Sequence, residues 1–231
     1  MLPIAILLGG FATRLGALTR EKPKALLKID GKPFIDFQLN LLKKNGYKKI
    51  VFCVSYKSKQ IQDYIGDGSK FGLNVQYSFD GETQLGTGGA IQNALGLLGE
   101  EFAVIYGDSY LPIKFAQVER FFKSSSALAV MVVYKNENKF DISNVKFKTK
   151  HQIEYCKNYE SSDMSYIDYG ITYFRATAFE QNRLGTSYDL AELCQNLSKK
   201  NNIEGFEVFD RFYEIGSTNG IREFSEFIRK A

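Results

Sequence analysis

Arg14, Lys22 and Lys24 follow a glycine pair, Gly9-Gly10, near the start of this sequence. A glycine-rich turn lets backbone N–H groups come up to an anion, because no Cβ stands in the way. An arginine fork can hold two phosphate oxygens, and a nearby lysine can hold a third. The stretch IAILLGGFATRLGALTREKPK, from Ile4 to Lys24, therefore reads as a site for the triphosphate of a nucleotide, although a glycine pair after a strand also suits a plain tight turn. Its glycine spacing is wrong for a dinucleotide fingerprint, and it lacks the GKS or GKT ending of a P-loop. Asp108 stands just after an apolar run and beside Gly107. It suits a turn, and it equally suits a Mg²⁺ ligand, because magnesium takes few protein carboxylates and otherwise uses phosphate oxygens and water. Glu214, in RFYEIGST, is the second acid expected near it. Lys157 stands among aromatic residues. It reads either as a strand-end lysine lying along apolar surface or as a cation for a second anionic substrate. His151, the one histidine, falls in an expected hairpin turn and is given no catalytic role. Metal-assisted phosphoryl or nucleotidyl transfer needs no histidine.

These residues need a scaffold, and 231 residues with 44% hydrophobic and 24% charged content suit one large α/β domain, taken as residues 1–231. The net charge of +4 is too mild to argue for a nucleic-acid partner by itself, and the lysines are interleaved with acids rather than clustered. Cys53, Cys156 and Cys194 are odd in number and widely spaced, so neither a disulfide framework nor a metal knuckle is expected, and a reducing cytoplasm is. The apolar start has neither the length of a membrane span nor the form of a signal peptide. Apolar patterning predicts strands at Ile4–Leu8, Lys49–Val54, Asn74–Phe79, Glu101–Tyr106, Ala127–Tyr134 and Ile167–Arg175. A hairpin is expected over Ser143–Lys148 and Gln152–Lys157, and strand character over Glu207–Ile215. Helices are expected at Phe34–Asn45, Ser58–Ile65, from the Asp80–Ala90 loop to Leu98, and at Lys114–Lys123, Tyr188–Ser198 and Asn219–Arg229. In the first of these, Phe34, Phe37, Leu41 and Leu42 recur at helical spacing. The opening β-α-β-α-β order predicts a parallel sheet with helices on both faces, which the second half extends. Ligands of such sheets bind beyond the C-terminal ends of the strands. Gly9-Gly10, Asp80–Gly89 and Gly107-Asp108 all follow strands, so they should face one crevice.

At this point the motifs resemble those of the sugar-1-phosphate nucleotidyltransferases, or NDP-sugar pyrophosphorylases. Gly9-Gly10, Thr13-Arg14-Leu15, Lys22-Pro23-Lys24 and Gly31-Lys32-Pro33-Phe34 fit the family's signature loop, and LGTGGAI, YGDSYL, YIDYG and FYEIGST follow in the family's order. The resemblance covers essentially the whole chain. It implies a single-domain Rossmann-like (GT-A-like) three-layer α/β/α fold with a mixed, mostly parallel central sheet. It also implies a reaction in which a sugar-1-phosphate oxygen attacks the α-phosphorus of a nucleoside triphosphate, with Mg²⁺, and pyrophosphate leaves. Carried over by position, Leu8, Gly9, Gly10 and Thr13 would serve the nucleotide. Arg14 would hold the β- and γ-phosphates, and Lys24 the α-phosphate. Gln84, Gly86, Thr87 and Gly88 would meet the base edge. Asp108 and Glu214 would bind the metal. Lys157 would hold the sugar phosphate, with Glu154, Asp168 and Gly170 on sugar hydroxyls. Two departures matter: Glu214 falls where many members have Asp, and Tyr155-Cys156-Lys157-Asn158 replaces the usual Glu-Lys-Pro, so the sugar pocket differs from the standard hexose one.

The short form is most similar to the heptose-1-phosphate guanylyltransferases and the muramic-acid-1-phosphate uridylyltransferases. That similarity favours GTP and a heptose or related sugar for surface polysaccharide, with UTP or CTP as alternatives. The expected partners are small molecules, with no nucleic acid and no membrane, for a cytoplasmic monomer or homodimer. A non-catalytic nucleotide-binding module is the rival class; pure binding would not need Arg14, Lys24 and Asp108 together. A nicotinamide-dependent oxidoreductase fails on fingerprint spacing and on the missing ribose-binding acid.

Overall fold

Ile4–Leu7 is buried on both faces because this strand, β1, lies in the middle of a sheet. The structure is a computed structural model that describes residues 1–8, 15–16, 22–55, 58–157, 163–182 and 184–230. After β1 come β2 (Lys28–Ile29), β3 (Lys32–Pro33), α1 (Phe34–Lys44), β4 (Lys49–Val54), α2 (Ser58–Ile65) and β5 (Asn74–Phe79). Next are α3 (Gly86–Leu98), β6 (Glu101–Tyr106), β7 (Ser109–Tyr110), α4 (Phe115–Ser124), β8 (Ala129–Lys135), β9 (Val145–Phe147), β10 (Ile153–Tyr155) and β11 (Tyr166–Arg175). The chain continues through α5 (Thr177–Glu180), α6 (Leu190–Lys199), β12 (Ile203–Val208), β13 (Tyr213–Glu214) and α7 (Thr218–Lys230).

Among the described residues nine strands form one mixed sheet, in the order β10-β9-β11-β6-β1-β4-β5, with β8 pairing both β11 and β12. Strands β1, β4, β5 and β6 run parallel, and β11 returns antiparallel beside β6. Side chains alternate across the sheet. Ile4, Ile6, Phe52 and Ile105 join α1, α2 and α4 on one face. Ala5, Leu7, Cys53 and Val104 join α3, α5 and α6 on the other. This is the expected three-layer α/β/α arrangement. The chain leaves β1 toward β4 and β5, then comes back to β6 on the other side of β1. That reversal opens a crevice at the strand ends, where open α/β sheets bind ligands.

The strand character expected over Glu207–Ile215 resolves into two short strands. β12 begins earlier, at Ile203, and pairs in parallel with β8. Gly205 hides this strand in the sequence, yet its lack of a side chain is what lets β9 and β10 lie over it: a Cβ there would stand 2.6 Å from Ile153 and 2.9 Å from Phe147. The buried stripe of α1 is Phe34, Ile35, Gln38, Leu39 and Leu42. Phe37 and Leu41 lie on its flanks instead; Phe37 turns toward α7, its ring 5.5 Å from that of Phe224. The turn between β2 and β3 is Asp30-Gly31, both with positive φ (45° and 84°), as a two-residue hairpin requires. The Asp30 carboxylate takes hydrogen bonds from Ser225 (3.0 Å) and Arg229 (2.9 Å), which fixes α7 to the start of the chain. Among the described residues no helix is long and apolar enough to cross a membrane.

Candidate active site

Strand β6 ends in Gly107-Asp108, and the turn is held from two sides, by β1 and by the residue that follows β13. The Gly107 N–H donates to the Leu7 carbonyl (3.0 Å), and the Ile215 N–H donates to the Asp108 carbonyl (3.0 Å). Gly107 must be glycine, since a Cβ would stand 2.1 Å from the Leu8 side chain and 2.7 Å from the Leu7 carbonyl oxygen. Lys24, at the start of a short 3₁₀ turn, reaches the Asp108 carboxylate at 2.8 Å. β7 and β13 then pair antiparallel with Glu214 opposite Ser109, which sets Glu214 diagonally beside Asp108. The sequence separates these two acids by half the chain, and the ladder brings them together.

Both acids line a cleft of about 380 Å³, together with Thr87, Tyr106, Tyr155, Lys157, Asp168, Gly170, Asp189 and Arg211. The donor set suits a hard cation. Magnesium uses one or two carboxylates and completes its shell with phosphate oxygens and water. The Glu214 carboxylate lies in a cradle at Gly216, where a Cβ would come within 3.1 Å of Oε2. Among the described residues no cluster of three or more His, Cys, Asp or Glu is placed to hold a metal, so the substrate would have to supply further ligands.

Across the cleft, β11 carries a bulge. Asp168 faces Val133 and Thr172 faces Met131, so three residues of β11 lie opposite one residue of β8. Gly170 takes φ 98° inside this bulge, and its N–H donates to Asp168 Oδ1 (2.9 Å). A bulge re-aims the strand, here turning Asp168 into the cleft. Burial raises the pKa of Asp168 to about 6, while the Gly170 N–H and the Lys157 charge pull it back down. The folded protein then binds a proton here more tightly than the unfolded chain does, so this group's contribution to stability falls as pH rises from about 4 to about 6. Asp168→Asn keeps the acceptor for Gly170 and removes the buried charge. It is expected to stabilise the protein by about 1–3 kcal/mol at pH 8 and by roughly half as much at pH 5, as measured by thermal unfolding at the two pH values.

Lys157 lies in the cleft, but its ammonium is paired with Asp189. Asp189 is the N-cap of α6, in a capping box with Glu192, and it also accepts from the Thr87 hydroxyl (3.0 Å). Burial favours the neutral acid, yet the Lys157, Ala191 and Thr87 hydrogen bonds hold its pKa below the ordinary value. The Asp189-x-x-Glu192 spacing is the sequence signature of this cap.

The remaining expected site residues fall in several places. Gly9, Gly10, Thr13 and Arg14 lie outside the described residues. Leu8 follows β1 and packs against Gly107, beside the crevice. Thr87 lines the cleft, whereas Gln84, Gly86 and Gly88 do not. Gly86 and Gly88 are glycine for a packing reason. A Cβ at Gly86 would meet the Tyr188 carbonyl oxygen at 2.5 Å, and one at Gly88 the Tyr188 ring at 2.2 Å. The Gly88 N–H donates to that same carbonyl (2.9 Å), so this donor at the start of α3 is already engaged. Glu154 also lies away from the cleft: strand alternation sends Tyr155 inward, and Glu154 pairs with Lys146 (3.4 Å). The His151 ring packs at a tilt against Phe121 outside the cleft. The sequence reading missed Gln38, Asp189 and Arg211. Arg211 lines the cleft over the Phe140 ring (3.9 Å) and pairs with Glu223.

The family model described as nucleotidyl transferase matches residues 4–230. A D-glycero-α-D-manno-heptose 1-phosphate guanylyltransferase of Campylobacter jejuni is 30% identical over 91% of this chain and 93% of its own length. An N-acetylmuramate α-1-phosphate uridylyltransferase of Neisseria meningitidis is 40% identical over 53% of this chain and 52% of its own length. Among solved structures, HddC from Yersinia pseudotuberculosis superposes with a TM-score of 0.83 at 21% identity, covering 99% of this chain and 100% of that one.

Proposed function

The chain belongs to the nucleotidyl transferase family, and on that premise we propose that it joins GTP to a heptose 1-phosphate or a related sugar 1-phosphate. The observation that carries this reading is the meeting of Asp108, Glu214, Lys157 and Asp168 at one cleft beside the strand reversal, with Lys24 paired to Asp108. In the proposed step an oxygen of the sugar phosphate forms a bond to the α-phosphorus, the bond to the β-phosphate oxygen breaks, and pyrophosphate leaves with that electron pair. Lys24 would offset charge as it builds on the α-phosphate. Arg14 would hold the β- and γ-phosphates in its fork. Asp108 and Glu214 would hold Mg²⁺, which when bound draws charge from the triphosphate oxygens. Lys157 would aim the sugar phosphate, and Asp168 would accept a sugar hydroxyl. No covalent intermediate is needed, because alignment and charge neutralisation supply the acceleration.

GTP and a heptose are favoured because the heptose 1-phosphate guanylyltransferase relative matches over nearly its full length, whereas the uridylyltransferase matches over half. UTP with a muramic-acid or hexose 1-phosphate is the second reading, which that shorter but closer match supports; CTP is the third. The product would feed surface glycoconjugate synthesis in the cytoplasm, made by a monomer or homodimer. The test is pyrophosphate release with MgCl₂ across four nucleoside triphosphates and a panel of heptose, hexose, amino-sugar and choline phosphates. GTP with a heptose phosphate should be fastest; no release with any pair sinks the enzyme reading for these substrates. Arg14→Ala should raise KM for the triphosphate about tenfold or more and that for the sugar phosphate far less. Equal rises would make the loop structural.

A further inference from the structure

Gln38 occupies the sheet-facing stripe of α1, among Phe34, Ile35, Leu39 and Leu42, and is 0% exposed. Its Nε2 donates to two backbone carbonyls, those of Tyr106 (2.9 Å) and Ser109 (2.8 Å). These residues bracket Gly107-Asp108. The amide cannot be turned round, because Oε1 would then face two oxygens that only accept. In the orientation present, Oε1 is buried with no hydrogen-bond partner among the described residues. An orphaned buried acceptor costs about 1–3 kcal/mol, a cost that a leucine on this stripe would not carry. What the amide gains is its hold on the two carbonyls. The bonds from Gly107 to β1 and from Ile215 tie the same turn to the sheet and to the β7–β13 ladder. Gln38 adds a tie from the helix layer.

We infer that Gln38 is a positioning residue for Asp108: it fixes the turn that aims the carboxylate at Lys24 and sets it beside Glu214, without touching substrate. This rests on the reading of Asp108 as a metal-holding acid. Gln38→Leu is expected to lower kcat about 10- to 100-fold, because a displacement near 1 Å at a catalytic group costs on that order. The MgCl₂ concentration for half-activity should rise about threefold or more, while KM for the triphosphate stays within about twofold. A second readout needs no turnover. Hydrogen exchange at the Gly107 and Ile215 amides, in the protein alone, should quicken about tenfold relative to a control of equal Tm. The control is whichever of Ile35→Val and Leu39→Ala matches that Tm, since both open the same stripe without touching the two carbonyls. Should Gln38→Leu not fold, Gln38→Asn is too short to hold both carbonyls and should show intermediate losses in each readout. A kcat and magnesium dependence within about twofold of wild type, or exchange no faster than in the control, overturns the inference. Asp108→Asn measured alongside keeps the two ideas apart. If that variant stays active, the role of Asp108 is wrong. If it is inactive while the Gln38 variants behave as wild type, only the Gln38 inference falls.

Discussion

Asp108→Asn should cut pyrophosphate release about 10³-fold or more while Tm moves by only a few degrees. The substitution keeps the size of the side chain and its place in the turn, which is fixed by backbone bonds to Leu7 and Ile215 rather than by the carboxylate. What it removes is the charge that faces Lys24 at 2.8 Å and that would hold magnesium beside Glu214. The Lys24 and Asp108 side chains are 19% and 29% exposed, so solvent screens their pair and its loss costs about 1 kcal/mol. A small stability change with a large rate change is therefore the signature of a chemical role. Thermal unfolding and a coupled pyrophosphate assay on one preparation measure both. Wild-type turnover in Asp108→Asn would remove this residue from the reaction.

The largest structural effect is expected at Gly86→Ala. Two costs add there: Gly86 has φ +68°, which an L side chain rarely adopts, and the new Cβ would stand 2.5 Å from the Tyr188 carbonyl oxygen. Backbone on both sides must shift, at about 3 kcal/mol or more, which for a protein of this size is a Tm loss of ~6–12 °C. Gly96→Ala on the same helix supplies the contrast, since its Cβ would meet nothing within 4 Å and its φ is ordinary. That change should stabilise by about 0.5–1 kcal/mol. Equal Tm values for the two variants would mean that α3 does not press on the 186–188 segment as described.

Periodicity located most of the elements because β1, β4, β6 and β8 are strongly apolar and several helices carry a clear stripe. It failed where a residue serves packing that only the third dimension reveals. Strand character was expected only from Glu207, yet β12 begins at Ile203 and carries Gly205 beneath Ile153 and Phe147. Gly86 and Gly88, which the resemblance puts at the base edge, also pack closely against Tyr188, and spacing alone does not show that contact. The pairing of Asp108 with Glu214 was legible as chemistry, two acids at strand ends with a glycine within two residues of each. The counter-ion of Lys157 was not, since Asp189 is remote in sequence and joins the cleft only through the packing of α6 on α3. Gln38 left a signal that went unread, a polar residue on an otherwise apolar stripe.

The clasp of Asp30 onto Arg229 and Ser225 joins residues 199 and 195 positions apart. Through α7 it holds down β13 and therefore Glu214. On the ribosome this has a consequence in time. Chains grow at about 5–20 residues per second and fold from the N-terminus. The segment carrying Asp108 thus leaves the ribosome several seconds or more before α7 is made. During that interval the strands around β1 can pair, but the second acid is absent. Slowed translation over the last helix would lengthen the life of a half-built site that is unable to close on its second acid.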